Sequence, residues 1–313
     1  MGNLEDKKFR IVTLFLAARP AFLTASAAPV LVGTAAGFAE SGRFDAVLFL
    51  LALFAIMFLH SGANLANDYF DHISGNDEGN KNPTPFSGGS RFIQEKILPA
   101  KTILILSLTC LAIGAAIGLV ILYMTRSIFI LILGLAGLVG GFFYTAPPMK
   151  LGYRCLGETV IGFLFGVLPV AGSYYLQTQR VDLIVLLPGV IVGILIFLVI
   201  LINEFPDRDA DAAVNKRTLV VSFGAAKSVW IYRLTLALSY VLAFALVFYE
   251  DTIFAGLLYL LTMPLAAAAM KAANKKDLAM AGEVRANKIT IALHSVGSIA
   301  LTTGFIIAGF CNI

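Results

Sequence analysis

The sequence has few residues of the kinds that build covalent or soft-metal frameworks. Its three cysteines and three histidines are scattered along the chain and show no ligand spacing. An odd number of separated cysteines does not support a disulfide framework, and neither residue type supports a zinc site. The sequence therefore argues against a small disulfide-stabilised scaffold and against a zinc enzyme.

Charged residues are also scarce. They make up 13% of the 313 residues, whereas a soluble domain carries about a quarter. Apolar runs long enough to cross a bilayer, about 20 residues each, follow one another along the chain. The sequence predicts an all-α, polytopic membrane protein whose single domain occupies residues 1–313. The nine predicted spans are 20–38, 46–66, 103–123, 128–147, 156–176, 183–203, 228–249, 252–272 and 289–310.

The basic residues predict the orientation of these spans. With the N-terminus in the cytoplasm, 20 of the 23 lysines and arginines fall on cytoplasmic segments. Only Arg43, Arg126 and Arg180 then lie outside. The positive-inside rule therefore predicts a cell (inner or plasma) membrane protein with its N-terminus in the cytoplasm and its C-terminus outside. This topology accounts for the net charge of +4, so no nucleic-acid partner is expected.

Acidic residues cluster in two predicted cytoplasmic loops, 67–102 and 204–227. The first motif, NLANDYFDHISGND, spans residues 64–77, and the second, NEFPDRDADAAVNKRTL, spans residues 203–219. Asn67 precedes Asp71 by four residues, and Asn203 precedes Asp207 by four. The same offset of 136 residues relates both members of the two pairs, across four spans. This pattern predicts two parallel repeats of four helices, followed by a ninth helix, with both motifs on one membrane face.

Residues four apart share a helix face, so each motif predicts a polar surface at a helix end. Clustered carboxylate and amide oxygens suit a hard divalent cation, and Mg²⁺ usually shares its coordination shell with substrate phosphates. The alternative is a solvated loop face, which two matched motifs on one side disfavour. The candidate metal ligands are Asp68, Asp71, Asp77, Asp207 and Asp211.

Basic residues lie near both motifs. Together with the aspartates and their metal ions, these basic residues predict that the site binds a diphosphate. Each basic residue alone also fits positive-inside anchoring. The FSGGSR turn (86–91) adds backbone N–H groups that an anion can use. The candidate diphosphate-binding residues are Arg19, Asn67, Arg91, Lys150, Arg154, Asn203, Lys216 and Arg217.

These motifs resemble those of the UbiA superfamily of intramembrane prenyltransferases. Asn67, Asp68, Asp71 and Asp77 match the first family motif, N-D-x-x-D followed by a further Asp. Asp207 and Asp211 match the second, D-x-x-x-D. The resemblance covers nearly the whole chain, because nine helices with aspartate motifs after the second and sixth are the family plan. It implies Mg²⁺-dependent transfer of a polyprenyl group from a polyprenyl diphosphate to an aromatic acceptor, with the lipid bilayer around the apolar tail.

The 1,4-dihydroxy-2-naphthoate polyprenyltransferases of menaquinone synthesis are the branch that the motifs resemble most. YTAPPMKLGYRCLGE (144–158) is similar to a third motif of that branch but departs from it at several positions. Lys150 is instead similar to a lysine of the 4-hydroxybenzoate branch. The resemblance implies catalytic roles for Asp71, Asp207, Tyr144 and Lys150, with Tyr144 beside the allylic carbocation; an interfacial tyrosine is the alternative reading.

Other classes of membrane protein fit the sequence less well. Secondary transporters carry charged residues near the bilayer midplane, but no span here has an acid at its centre. The D-G-x-x-A-R signature of phospholipid alcohol phosphotransferases is absent. Within the superfamily, 4-hydroxybenzoate and other UbiA-type acceptors stay open. The sequence assigns no donor chain length, oligomeric state or proton acceptor.

Overall fold

The computed structural model describes residues 12–274, 278 and 284–311. These residues form helices joined by turns and irregular segments. We number the helices of eight or more residues in chain order. They are α1 Thr24–Ser41, α2 Ala46–Ser74, α3 Ala100–Thr125, α4 Ile128–Phe142, α5 Gly157–Thr178, α6 Leu186–Ala213, α7 Leu219–Leu246, α8 Ile253–Leu260, α9 Met263–Ala272 and α10 Arg285–Cys311.

The predicted all-α membrane architecture is confirmed. Among the described residues, seven helices are long and apolar enough to cross a membrane, and α8 with α9 counts as an eighth span although the two are bent by 48°. Helix α4 has only 15 residues, which is shorter than the roughly 20 that a span requires. The exact count of nine spans is therefore not confirmed, although a helix occupies each predicted position.

Helices α2 and α6 continue beyond the predicted spans and include the first part of each predicted cytoplasmic loop, as expected from motifs that lie on helix ends. Residues 67–74 lie on α2, residues 204–213 on α6 and residues 219–227 on α7. Helix α2 ends at Gly75, whose φ of 78° gives the left-handed conformation of a helix C-cap. Pro206 lies inside α6 without ending it. Both acidic motifs are therefore presented mainly by rigid helix rather than by loop.

Close helix packing places α6 at the centre of the molecule. A Cβ on Gly166 of α5 would overlap the backbone of Gly193 on α6, so the two helices approach at backbone distance. Small residues permit such approach between membrane helices. Most of the largest buried cluster comes from α6, α7 and α10, with contributions from α1 and α5. The second motif therefore sits at the end of the most enclosed helix.

Helices α2, α4 and α6 end at the same end of the bundle, which we call the motif end. The connecting segments 75–99, 143–156 and 214–218 meet there. Segment 143–156 pairs with segment 214–218 through an isolated bridge between Arg154 and Arg217. The offset of 136 residues relates Asn67 and Asp71 near the end of α2 to Asn203 and Asp207 near the end of α6. The repeat of four helices stays a prediction.

Candidate active site

The two motifs converge on one cavity at the motif end, with a volume of about 200 Å³. On α2, the spacing of four places Asn67 beside Asp71, and Asn67 Nδ2 donates a hydrogen bond to Asp71 Oδ2 (3.1 Å). On α6, Asp207 and Asp211 lie one turn apart. The polar residues that line the cavity are Arg19, His60, Asn64, Asn67, Asp71, Asn76, Asp77, Asn80, Ser87, Tyr144, Asn203, Glu204, Asp207, Asp211, Lys216 and Thr218.

Lys216 joins the two motifs. Its Nζ lies 3.0 Å from Asp71 Oδ2 on α2 and 3.4 Å from Asp211 Oδ1 on α6. Burial disfavours the charged form of Lys216, but the carboxylates of Asp211 and Asp71 outweigh burial and raise the pKa of the ammonium well above its ordinary value. Lys216 is therefore a permanent positive charge between the two acidic surfaces. Tyr153 completes this cluster by donating a hydrogen bond to Asp71 Oδ1 (2.9 Å).

Arg19 supplies the second cation of the site. Its guanidinium lies 3.1 Å from Asp68 Oδ1, and the backbone N–H of Ser90 also approaches both oxygens of this carboxylate (3.2 and 3.3 Å). Arg19 adopts a left-handed conformation directly before a 3-10 turn that leads into α1. The short segment before α1 thereby places the positive charge of Arg19 beside Asp68 on α2.

Residues 76–90, which we call the strap, cross from the first motif to the second. Asn76 Nδ2 donates to Asp211 Oδ1 (3.0 Å), and Asn80 Nδ2 donates to Asp207 Oδ1 (2.7 Å). The backbone N–H of Gly88 donates to Asp207 Oδ2 (3.1 Å). The sequence predicted that backbone N–H groups of the FSGGSR turn can bind an anion. In the structure, the N–H groups of Gly88 and Ser90 instead donate to protein carboxylates.

Asp77 is a buried carboxyl with other acidic groups beside it. Its side chain is buried, and it faces Gly89, where a Cβ would overlap the carboxylate. Burial, together with the nearby carboxylates of Asp71 and Asp68, raises the pKa of Asp77 to about 8. Arg91 turns its guanidinium to the backbone carbonyl of Asp77 (2.6 Å), so it holds the backbone of this residue.

The cavity lining leaves out Arg91 and three other predicted diphosphate-binding residues, Lys150, Arg154 and Arg217. The Lys150 ammonium lies 5.0 Å from the centre of the Tyr153 ring. Arg154 is exposed, and its guanidinium donates to the carbonyl of Met149 (2.6 Å). Arg217 is also exposed. A role for these four residues in binding substrate stays a prediction, whereas Arg19 and Lys216 already face the cavity.

Tyr144 and Asn203 occupy the positions that the motifs predicted, since both line the cavity. Burial, with Glu204 as the next contributor, raises the pKa of Tyr144 well above its ordinary value, so this phenol stays protonated. Asn203 accepts a hydrogen bond from Asn287 of α10 (2.7 Å). This hydrogen bond holds the side-chain amide of Asn203 in place against α10.

Sequence reasoning overlooked Asn76, Asn80, Tyr153 and Glu204, all of which contact the motif aspartates or line the cavity. Asn76 lies near the end of the first motif, and Asn80 follows it by four residues, which is the spacing that also separates Asn67 and Asp71. Tyr153 lies in the YTAPPMKLGYRCLGE segment and was assigned no role. Glu204 lies between the two residues of the second motif, Asn203 and Asp207. Only the fold shows which of these side chains turn inward.

A second cavity of about 290 Å³ adjoins the first. His60, Ala63, Gly141 and Phe165 line both, so the polar cavity continues into the apolar one at these residues. Helices α2, α3, α4 and α5 form most of its wall, and that wall is almost entirely apolar. His60 is fixed at the junction by a hydrogen bond between its Nδ1 and the hydroxyl of Ser26 (2.7 Å).

The polar cavity, which Arg19 and Lys216 line, is thus joined to an apolar cavity within the helix bundle. The chain matches the model of the UbiA prenyltransferase family over residues 26–308. The chain belongs to this family. The protein is therefore a multi-pass membrane prenyltransferase, and the family predicted from the aspartate motifs is confirmed.

Curated relatives of this UbiA prenyltransferase include two 1,4-dihydroxy-2-naphthoate octaprenyltransferases. The protein of Mycobacterium tuberculosis is 33% identical over 231 residues, which cover 73% of this chain and 76% of the relative. The protein of Haemophilus influenzae is 30% identical over 256 residues, which cover 80% of this chain and 82% of the relative. These names agree with the branch that the motifs resemble.

Solved structures share the fold of this UbiA prenyltransferase. A UbiA homologue from Archaeoglobus fulgidus bound to GPP and Mg²⁺ superposes with a TM-score of 0.66 and 16% identity, covering 95% of this chain and 98% of that one. A digeranylgeranylglyceryl phosphate synthase structure gives a TM-score of 0.61 and 17% identity, covering 95% and 99%. Similarity at this level of identity establishes the architecture alone.

Proposed function

We propose that this enzyme transfers a polyprenyl group from a polyprenyl diphosphate to 1,4-dihydroxy-2-naphthoate, in menaquinone synthesis, with Mg²⁺ as cofactor. The observation that carries the proposal is the meeting of Asp71 and Asp211 at Lys216, inside a cavity that continues into an apolar one. The curated relatives support the acceptor. We further propose that the motif end faces the cytoplasm of a plasma-membrane enzyme, as the basic residues predict.

The residues present fit a divalent cation by charge and by donor type. Five carboxyl groups, those of the predicted metal ligands, gather around two cations, Arg19 and Lys216. Burial, together with the nearby carboxylates of Asp71 and Asp68, raises the pKa of Asp77, as a site with an excess of buried acidic groups requires. Oxygen donors of this kind suit Mg²⁺. In the described residues, no three His, Cys, Asp or Glu side chains already stand in an arrangement that could hold a metal ion, because Lys216, Arg19 and the strap engage the carboxylates individually.

Asp68, Asp71 and Asp77 on one side, with Asp207 and Asp211 on the other, are the residues that would hold Mg²⁺. When bound there, Mg²⁺ would neutralise charge on the diphosphate as it leaves. Lys216 and Arg19 supply fixed positive charges at the same cavity, and charge-assisted hydrogen bonds from such groups to phosphate oxygens are strong. Both cations already lie against aspartates, so they are held in position before substrate arrives.

The reaction breaks the bond between the allylic carbon and the diphosphate oxygen, and the electron pair leaves with the diphosphate. The allylic cation that remains is attacked by an electron-rich carbon of the aromatic ring. Tyr144 lines the cavity, and the face of an aromatic ring attracts a cation. Loss of the acceptor carboxyl group as CO₂ accompanies the transfer in the naphthoate case. The apolar cavity accommodates the first part of the prenyl chain, with the bilayer beyond it.

The test of the proposal uses purified enzyme with one labelled polyprenyl diphosphate and Mg²⁺. With 1,4-dihydroxy-2-naphthoate and 4-hydroxybenzoate at equal concentration, we expect the prenylated naphthol to dominate. A dominant prenylated 4-hydroxybenzoate would overturn the acceptor and leave the prenyltransferase intact. Excess chelator should abolish turnover and added Mg²⁺ should restore it, so full turnover in chelator would refute the metal role.

A further inference from the structure

One buried carboxyl in the polar cavity takes no part in the arrangement described so far. Glu204 lies on α6, is only 8% exposed and lines the cavity. Its Oε2 has no hydrogen-bond donor among the described residues other than the neighbouring carboxyl of Glu158 when that pair is protonated. A buried polar atom without a partner costs about 1–3 kcal/mol. An unsatisfied acceptor that faces a cavity is therefore placed to receive a hydrogen bond from a ligand.

The neighbours of Glu204 indicate what kind of ligand this is. A second buried carboxyl, Glu158, interacts electrostatically with Glu204. Glu158 is itself fixed, because its Oε1 accepts a hydrogen bond from the backbone N–H of Leu219 (2.6 Å). Two adjacent carboxyl groups disfavour an anionic diphosphate. They favour a ligand group that donates a hydrogen bond, such as a hydroxyl.

A complementary group lies on the opposite wall at a similar depth. Glu204 precedes Asp207 by three residues on α6, and Asn64 precedes Asn67 by three on α2; in a helix this is about 4.5 Å further from the motif end. Asn64 lines the same cavity, and its Nδ2 has no hydrogen-bond partner in the described part of the chain. The cavity thus offers an unpaired acceptor and an unpaired donor one turn inward from the aspartates.

This depth is where the reacting ring has to lie. The carbon that changes partners is bonded directly to the diphosphate, and the prenyl chain extends from it toward the apolar cavity. The aromatic carbon must come within about 3–3.5 Å of that carbon. The ring therefore occupies the level between the aspartates and the junction at His60, and Glu204 and Asn64 are on that level.

We infer that Glu204 and Asn64 bind the aromatic acceptor: Glu204 accepts a hydrogen bond from a ring hydroxyl, and Asn64 donates one to an acceptor oxygen. The inference rests on the proposed transfer to a hydroxylated aromatic acid. It needs no charge on Glu204, because a carboxyl oxygen accepts a hydrogen bond in either protonation state. Glu158 is the residue that keeps the Glu204 side chain in place.

The test compares Glu204→Leu, Glu204→Gln and Asn64→Leu with the wild-type enzyme. We expect the KM for 1,4-dihydroxy-2-naphthoate to rise about tenfold in Glu204→Leu and Asn64→Leu, the loss of one hydrogen bond each. The KM for the prenyl diphosphate should stay within about twofold, and Glu204→Gln should keep the wild-type acceptor KM because its amide oxygen still accepts. Asp209→Leu, an exposed acid on the same helix, is the matched control and should change neither KM.

The methyl ethers of the acceptor give a readout that does not depend on the variants folding. Each mono-methyl ether lacks one of the two hydroxyl donors of the acceptor. With wild-type enzyme, we expect at least one of the two ethers to show a raised KM, similar to the KM of Glu204→Leu for the parent acid. Equal KM values for the parent acid and both ethers would overturn the inference, as would an unchanged acceptor KM in Glu204→Leu. A Glu204→Gln enzyme as impaired as Glu204→Leu would also overturn it, since charge would then be what matters. Failure of the proposed function looks different: wild-type enzyme would then prenylate no hydroxylated aromatic acid.

Discussion

Replacing Lys216 with glutamine tests the charge balance on which the site depends. The ammonium lies 3.0 Å from Asp71 and 3.4 Å from Asp211, and the three side chains are 13%, 4% and 2% exposed. Solvent therefore screens these contacts weakly. Removing one partner from a buried ion pair costs about 3–5 kcal/mol. We expect the lower end of this range, because Asp71 keeps hydrogen bonds from Asn67 and Tyr153.

The effect should depend on divalent cations. Without Lys216, the excess of negative charge in the cavity increases, so Mg²⁺ should bind more tightly and stabilise the folded state more. We expect Lys216→Gln to lower the midpoint of thermal unfolding in detergent with EDTA in excess over divalent cations. Added Mg²⁺ should raise that midpoint further in the variant than in the wild type.

The control for this measurement is Lys227→Gln, which removes an exposed lysine from α7. It should leave the midpoint unchanged with and without Mg²⁺. Turnover gives an independent readout: loss of a charge-assisted hydrogen bond to the diphosphate, about 1.5–3 kcal/mol, lowers kcat/KM by roughly 10- to 100-fold. If Lys216→Gln unfolds at the same midpoint as Lys227→Gln in chelator, the ion pairs do not stabilise the fold and the reasoning fails.

Three further predictions concern other parts of the site. Asp207→Asn keeps the shape of the side chain but removes its charge, so turnover should fall by about a hundredfold or more. The control Asp209→Asn, two residues further on, should stay active. Similar rates in the two variants would exclude a catalytic role for Asp207. Gly89→Ala should destabilise the protein by about 1 kcal/mol or more, because Gly89 has a φ of 76° and its Cβ would meet Asp77, and an unchanged unfolding midpoint would contradict this. Gly137→Phe places a side chain in open space in the apolar cavity. We expect kcat/KM to fall for long prenyl diphosphates but not for dimethylallyl diphosphate. An equal fall for both would argue against this cavity as the binding site of the prenyl chain.

The helical periodicity of the motifs predicted the part of the site that depends on local structure. A spacing of four between Asn67 and Asp71 places them on one helix face, and they are hydrogen bonded there. The equal offset of the two motifs predicted that α2 and α6 end together, because an even number of spans separates them. These inferences required only the period of a helix and the alternation of a membrane bundle.

Contacts made by irregular segments could not be predicted in the same way. Lys150 and Lys216 both lie in connecting segments at the motif end and both approach the ring of Tyr153, yet only Lys216 lines the cavity. Lys150 has a φ of 43° in an irregular turn, and the helical period does not predict where such a side chain lies. By contrast, the spacing of Asn203, Asp207 and Asp211 did predict that α6 continues past Pro206. Burial against neighbouring helices there outweighs the single backbone hydrogen bond that a proline removes.

The strap forms polar contacts between the part of the chain before residues 179–183, which we call the first half, and the part after them. Its side chains and backbone reach Asp207 and Asp211 from the first half, whereas the covalent link between the halves near residues 179–183 is exposed and lies at the other end of the bundle. An enzyme cut at 179–183 and produced as two fragments should therefore reassemble with its site intact. A cut between Asn80 and Gly88 would instead separate the contact that Gly88 makes with Asp207 from the contacts that Asn76 and Asn80 make with the second motif, while leaving every helix whole.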